Sequence, residues 1–338
     1  MSGREKSVEI QPELIQNIHW GFARAQILST AVEMDIFTVV QTAGGSLDKV
    51  AKTMALPLRA TRMLLDALTG MGLLHKTRGL YKLNPEAKAF LVKGEGDYLG
   101  PSLLQDEGMV QSWLRLTESM RSGKPVPTIE TQEQRKNFFK ELVKRIFPMS
   151  YASGVVLCKK LGIGRTLRPQ KILDVGAGSA AWSIAFALVD SSIQVTAVDF
   201  PEVLEVAQGF IKRFRLQKQF TLREGDYHTL HFEPNTYDVI ILGHICHGEG
   251  EAFTRKLFKK AYDALRPEGR LLVPEFVAND LRTGPELPLM FALNMLLFTE
   301  SGDVFTIKEL KRWLDFVGFK KVSAQAVQYP VTVVVAIK

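Results

Sequence analysis

From residue 168 onward, short runs rich in valine and isoleucine alternate with helical segments. The runs are KILDVGAG, IQVTAVDF, FTLREGD, YDVIILG, GRLLVPEF, KKVSAQAV and VTVVVAIK. Most of these runs are too apolar to leave a polar face for solvent, so those strands are expected to be covered on both sides. Buried strands spaced by helices predict a parallel sheet with helices on both faces. The last two runs are separated only by a QYP turn, so the final strand of the seven is expected to be antiparallel. The predicted fold class is α/β, with a Rossmann-like catalytic domain over residues 168–338.

The residues before it follow a different pattern. Helical periodicity with a long apolar face covers residues 11–42 and predicts one long first helix. Two short amphipathic segments follow, and then a strand pair, GLLHKTRGLYKLN. Asn84 is the expected N-cap of the next helix, with Pro85 at its first position. Helix, helix and a two-stranded wing outline a winged-helix unit over residues 1–102. Such units often bind DNA, but these hundred residues carry 12 basic and 10 acidic side chains, a weak footprint for phosphate. The apolar first helix asks instead for a partner surface, so dimerisation is expected and nucleic-acid binding is not. Residues 103–167 are expected to form a helical linker.

ILDVGAGSAA has the order strand, glycine turn, helix, and it matches G-x-G-x-x-A at Gly176, Gly178 and Ala181. A dinucleotide site would satisfy that pattern too. Asp174 points elsewhere, because a carboxylate two residues before the first glycine repels a pyrophosphate and suits a cation. Asp199 ends the next strand, 25 residues on, where a carboxylate accepts both ribose hydroxyls. Asp226, with Tyr227 beside it, ends the third and offers an acceptor and a ring to adenine. Three acids in register beside a glycine turn describe a pocket for adenosine with a cationic tail, which is S-adenosylmethionine. The plain alternative is that each acid only caps the helix after it.

With these motifs in place, the chain resembles the S-adenosylmethionine-dependent small-molecule O-methyltransferases, the family of plant caffeate and flavonoid enzymes and of acetylserotonin methyltransferase. LDVGAGSA is similar to the family's D-x-G-x-G-x-G, with Ala180 for the third glycine, and AVDFPEV to its D-L-P-x-V. FPMSYAS resembles its F-N-x-x-M-S-x-x-S, and YDVIILGHICHGEGE its strand and catalytic loop. The resemblance implies a winged-helix homodimer and a metal-free site that yields S-adenosylhomocysteine. It places Ser153, Phe200, Gly243 and His244 at the cofactor, and Met149 and Tyr151 at the acceptor. His247 falls on the catalytic histidine, and Glu275, 28 residues later, on the acid that orients it. The chain departs from the H-D-W-x-D pattern, with Gly248-Glu249 for Asp-Trp. The second flanking glutamate falls on Val304, with Asp303 the nearest acid.

A hydroxyl needs a base to become a nucleophile, and histidine suits that work near neutral pH. A thioether acceptor such as a methylthio-hydroxybutyrate would need none, leaving His247 to position it. A zinc site from His244, Cys246, His247 and Glu249 is a further alternative. Strand alternation would put His244 and Cys246 on one face without His247, and a closed site wants a fourth ligand from a second element. PLMFALNMLLF is apolar nearly all round, so it is expected to be buried. The resemblance makes it an acceptor wall with Met290, Phe291, Asn294, Met295 and Phe298 as candidates.

A DNA-binding regulator with a degenerate domain is the reading from outside enzymology. Asp174, Gly176, Gly178 and Asp199 speak against it, since a dead site need not keep them. Of the net charge of +7, residues 133–168 carry nine basic side chains (Arg135, Lys136, Lys140, Lys144, Arg145, Lys159, Lys160, Arg165, Arg168) against two acidic ones. A solvated helix face is the simpler account, and attraction of an acidic substrate the other. Cys158 and Cys246 cannot build a disulfide framework, and the first residues have no apolar run. A cytoplasmic protein without a membrane segment is expected.

Overall fold

The computed structural model describes residues 10–95, 98–126, 132–163 and 170–338, with residues 132–136 by backbone alone. They form two compact units, divided after Gln105. In the first, the periodic stretch makes three helices rather than one: α1 (Glu13–His19), α2 (Gly21–Glu33) and α3 (Ile36–Thr42). The second break falls at Asp35, which adopts a left-handed φ of 58°. Aspartate tolerates that conformation, and its carboxylate takes a 2.6 Å bond from the Thr38 hydroxyl on the new helix. Helix periodicity persists across such a break, so the apolar pattern alone does not reveal it.

Next come α4 (Leu47–Thr53), α5 (Leu58–Gly70), the antiparallel pair β1 (Leu74–Thr77) and β2 (Leu80–Leu83), α6 (Pro85–Phe90) and α7 (Gly100–Leu103). Asn84 caps α6 as expected, accepting from the Ala87 N–H at 2.6 Å. Phe37, Leu65, Leu68, Leu74 and Tyr81 are fully buried and close this unit's core. No residue of α1 is buried.

The second unit opens with α8 (Glu107–Leu114), α9 (Leu116–Ser122) and α10 (Gln132–Leu161), so the expected linker packs with the sheet domain. The sheet elements are β3 (Lys171–Val175), α11 (Ala181–Ala187), β4 (Gln194–Asp199), α12 (Pro201–Arg213), β5 (Phe220–Glu224) and β6 (Tyr237–Ile241). They continue with α13 (Cys246–Ala264), β7 (Leu265–Glu275), α14 (Glu286–Phe298), α15 (Ile307–Val317), β8 (Lys320–Ala326) and β9 (Thr332–Ile337). The order across the sheet is β5-β4-β3-β6-β7-β9-β8. Only β9 runs against its neighbours, as the short QYP connection required.

Successive strand residues enter opposite layers: Ile172 and Val333 pack with α10, α11 and α12, while Leu173 and Val334 pack with α13 and α15. Strand order reverses between β3 and β6, and ligands of open α/β sheets bind at the carboxyl ends beside such a switch point. Thr306 caps α15 through the expected box with Glu309. None of the described helices is long and apolar enough to cross a membrane.

One surface expectation changes. Only Pro288, Met295 and Leu297 of α14 are buried, so this helix is half-open rather than enclosed, because only part of its apolar girth meets the rest of its unit. In the basic stretch, Lys140 pairs with Glu205, Lys144 with Glu141 and Arg145 with Asp106. Arg135, Lys136, Arg165 and Arg168 lie outside the described side chains. The described part is therefore a largely paired surface rather than a free cationic patch.

Candidate active site

The glycine turn after β3 holds Gly176 and Gly178 at φ values of 58° and 59°, a region costly to residues with a Cβ. A Cβ at Gly176 would also meet Ile245 at 2.9 Å. The turn is tied to β4 by Asp199, whose carboxylate accepts from the backbone N–H of Gly178 and of Phe200, both at 2.8 Å. Asp174 lies beneath it, 2% exposed, accepting the Ser183 hydroxyl of α11 at 2.5 Å. Burial pushes its pKa up to about 7 against that bond, and the charge of Asp199 adds to the rise. Burial raises Asp199 as well, opposed by its two backbone donors. No cation among the described residues pairs with either carboxylate. Two buried anions with no counter-ion beside a glycine cradle fit a cationic nucleoside ligand, so the site suits S-adenosylmethionine.

Asp226 sits in the turn after β5 rather than in the strand, accepting from the His228 N–H at 2.8 Å. Tyr227 gives its hydroxyl to Glu249 at 2.5 Å, and His228 Nε2 meets the same carboxylate at 3.0 Å. Glu249 therefore ties the first turn of α13 to the turn after β5. Phe200 is half-exposed at the start of α12, and Gly243 backs onto Trp182, where a Cβ would come within 2.9 Å of the indole. Ser153 is fully buried on α10, and its hydroxyl has no partner among the described residues.

His247 stands in the first turn of α13. Gly250, with φ 72° and a Cβ position 2.5 Å from the Ser301 carbonyl, breaks this turn from the rest of the helix. His247 Nδ1 lies 2.6 Å from Glu275 Oε2, and its backbone N–H reaches Oε1 at 3.3 Å. Burial would raise the Glu275 pKa, but the neighbouring imidazoles and the His247 bonds outweigh it and hold the carboxyl below its usual value. An ionised carboxylate only accepts, so the proton on His247 is fixed at Nδ1, leaving the lone pair of Nε2 free. The imidazole is flanked on one side by two rings in mutual contact: Phe276, parallel within 9° at 6.2 Å, and Phe291, edge-on at 5.0 Å, with 4.7 Å between the two phenylalanines.

His244 and Cys246 do not share a face. His244 is left-handed at φ 58°, which turns its ring back to within 4.0 Å of Glu275. Cys246 is fully buried in the layer of α13 and α15. The ligand atoms of His244, His247 and Glu275 lie within 4.8 Å of one another. The 2.6 Å contact inside that group is a hydrogen bond, shorter than the roughly 3.4 Å that two ligand atoms each about 2.1 Å from one tetrahedral metal would keep. Asp303 does not replace the second flanking acid. Its carboxylate accepts from the Val304 N–H and lies 3.8 Å from Arg282, and only its backbone N–H reaches the His247 carbonyl.

The acceptor candidates separate. Phe291 touches His247, Asn294 accepts from Trp113 Nε1 at 3.2 Å, and Phe298 stacks with Phe138. Met295 is buried, and Met290 is 47% exposed. Met149 packs on the layer of α10 and α11. Tyr151 stacks with Phe147 and Phe214 and is not brought to His247. Sequence reasoning passed over Phe276 and Trp182. Phe276 follows Glu275 directly, and that adjacency was its available signal.

A Rossmann-like sheet with a cation-ready glycine turn and a carboxylate-bonded histidine near the switch point fits a methyltransferase. The chain belongs to the O-methyltransferase family: residues 131–320 match its O-methyltransferase domain, and residues 17–93 its dimerisation domain. It is 28% identical to the tetracenomycin polyketide synthesis 8-O-methyltransferase of Streptomyces glaucescens, over 97% of both chains. Identity to the acetylserotonin O-methyltransferase of Gallus gallus is 26%, over 93% of this chain and 94% of that one. A solved candidate O-methyltransferase from Nostoc punctiforme superposes with a TM-score of 0.85 at 25% identity, covering 98% of this chain and all of that one. Human N-acetylserotonin methyltransferase, solved with S-adenosylmethionine, shares the fold at a TM-score of 0.78 and 23% identity, over 99% of each chain. Relatives that methylate oxygen give the thioether reading no support.

Proposed function

We propose that this chain moves a methyl group from S-adenosylmethionine to a hydroxyl of a small aromatic acceptor, with His247 as the base. The observation that carries it is the 2.6 Å bond between His247 Nδ1 and buried Glu275, beside the paired rings of Phe276 and Phe291. When bound, S-adenosylmethionine supplies a methyl on a positively charged sulfur. Asp199 would hold the ribose hydroxyls and Tyr227 would flank adenine, while Asp174 supplies negative charge beneath the glycine turn. His247 Nε2 takes the acceptor's proton as the new bond forms, and Glu275 stabilises the resulting imidazolium. The aromatic pair favours a flat acceptor and keeps water from the base. A polyketide and acetylserotonin are acceptors named for the relatives, which supports a flat phenol-like or indole-like class.

The active form in this reading is a cytoplasmic homodimer. Leu14, Ile15 and Ile18 of α1 are each at least 70% exposed, and Trp20 and Phe22 just after them are exposed too; exposed large apolar side chains clustered in this way support a partner surface. The test of the reaction is His247→Ala. Cofactor affinity by calorimetry should hold, and turnover of labelled methyl onto a phenol panel should fall by about 100-fold or more. Near-normal turnover would remove the base from the mechanism.

A further inference from the structure

His244 lies beside the base, and the proposed reaction does not use it. Its backbone is fixed in the left-handed region, with its N–H on the Pro274 carbonyl at 2.9 Å. A non-glycine residue held there carries strain, and the outcome is a ring turned inward. Both ring nitrogens are buried, and neither has a hydrogen-bond partner among the described residues. Glu275 Oε2, 4.0 Å from Nδ1, is already taken by His247 at the shorter distance. Buried polar atoms are almost always paired, and an imidazole with neither nitrogen satisfied lacks a partner that a ligand can supply.

The direction of the ring tells which ligand. The carboxylates that fit the cofactor stand at β3, β4 and the turn after β5. His244 points the other way along the sheet, toward β7. Its nearest ring is Phe276, just after β7, at 4.9 Å, while His247 and Trp182 stand at 6.0 and 6.1 Å. It therefore borders the aromatic pair beside which the acceptor hydroxyl must meet His247. Two imidazoles at that spacing are close enough for one small molecule to bond both. The walls contributed by Phe276 and Phe291 offer no other polar side-chain atom.

We propose that His244 is a specificity-determining residue that hydrogen-bonds a second oxygen on the acceptor, so that preferred acceptors carry the reacting hydroxyl beside another hydroxyl or carbonyl. This rests on the proposed reaction at His247. Burial lowers the pKa of His244 to about 4, so near neutral pH the ring offers one N–H and one lone pair. It can serve as donor to a carbonyl or as acceptor from a hydroxyl.

The experiment compares 1-naphthol with 1,8-dihydroxynaphthalene and 1-hydroxyanthraquinone in the wild type, His244→Phe and His244→Gln. Equilibrium acceptor binding, turnover and cofactor affinity are all measured, with melting temperature as a check on folding. The wild type should favour the two dioxygenated probes by about tenfold or more in binding and in kcat/KM. His244→Phe should erase that preference, His244→Gln should restore part of it, and cofactor affinity should stay within about twofold. Equal or absent binding of the probes by the wild type overturns the proposal, as does a preference that survives in His244→Phe. A tenfold loss of cofactor affinity in that variant overturns it too, and returns His244 to the cofactor. Binding preference without turnover on any probe would instead count against the proposed reaction, which keeps the two failures apart.

Discussion

Asp174 makes cofactor binding dependent on pH in a way that can be measured. Its carboxyl is 2% exposed, has Asp199 as a negative neighbour, and titrates at about 7 in the free protein. A cationic ligand favours the ionised form, so binding lowers this pKa and expels a proton wherever the free carboxyl is protonated. The sign follows: affinity is highest above about pH 7 and weakens as pH falls through the free value. If the bound carboxyl returns to an ordinary pKa of about 4, affinity at about pH 5.5 should be roughly 30-fold below that at about pH 8. Calorimetry in two buffers of different ionisation enthalpy should report nearly one proton released at about pH 6. Asp174→Asn should bind more weakly near pH 8 and lose most of the slope, with a remainder from Asp199, whose pKa is also raised. An affinity flat within about threefold across that range, or an Asp174→Asn variant keeping the whole slope, would refute the reasoning.

Two further outcomes bear on the base. Glu275→Gln keeps the shape of a buried side chain but offers His247 Nδ1 no ionised acceptor, so kcat should drop by about 10²- to 10⁴-fold, with cofactor affinity unchanged. Single-turnover kinetics check this, and a loss under about fivefold would mean that the carboxylate does not set the tautomer. Gly302→Ala places a Cβ 2.4 Å from the His247 carbonyl and from the Thr299 hydroxyl, so the catalytic turn must shift. Turnover should fall by about tenfold or more at unchanged cofactor affinity, and normal kinetics would show that the turn is not held from this side.

How much of this was legible depends on the range of the interactions. The seven strands follow from local apolar runs, and the reversal of β9 from a connection too short for a crossover. The glycine turn and its acids are also local, since each lies at the end of a strand that the pattern defines. What escaped was set by single dihedrals and by distant partners. Alternation along β6 put His244 with Cys246, but one left-handed residue turned His244 to Glu275. Periodicity over residues 11–42 could not show the break at Asp35. The apolar girth of α14 predicted burial, whereas how much of it is covered depends on which elements pack there.

The departures from the family's H-D-W-x-D pattern gain a physical account from the same geometry. Glu249 takes bonds from Tyr227 and His228, so the residue in the tryptophan position fastens the turn of His247 to the turn after β5. Asp303 is engaged with Arg282 and the Val304 N–H, so His247 relies on one carboxylate. The two ends of the site thus differ in what they lack. At β3 and β4, two buried anions have no counter-ion among the described residues. At β7 the anion is matched by imidazoles, and what is missing is a partner for His244. A cation bound on the first side and an oxygenated aromatic on the second would satisfy both. That places the acceptor hydroxyl between them, on the side where His247 can take its proton.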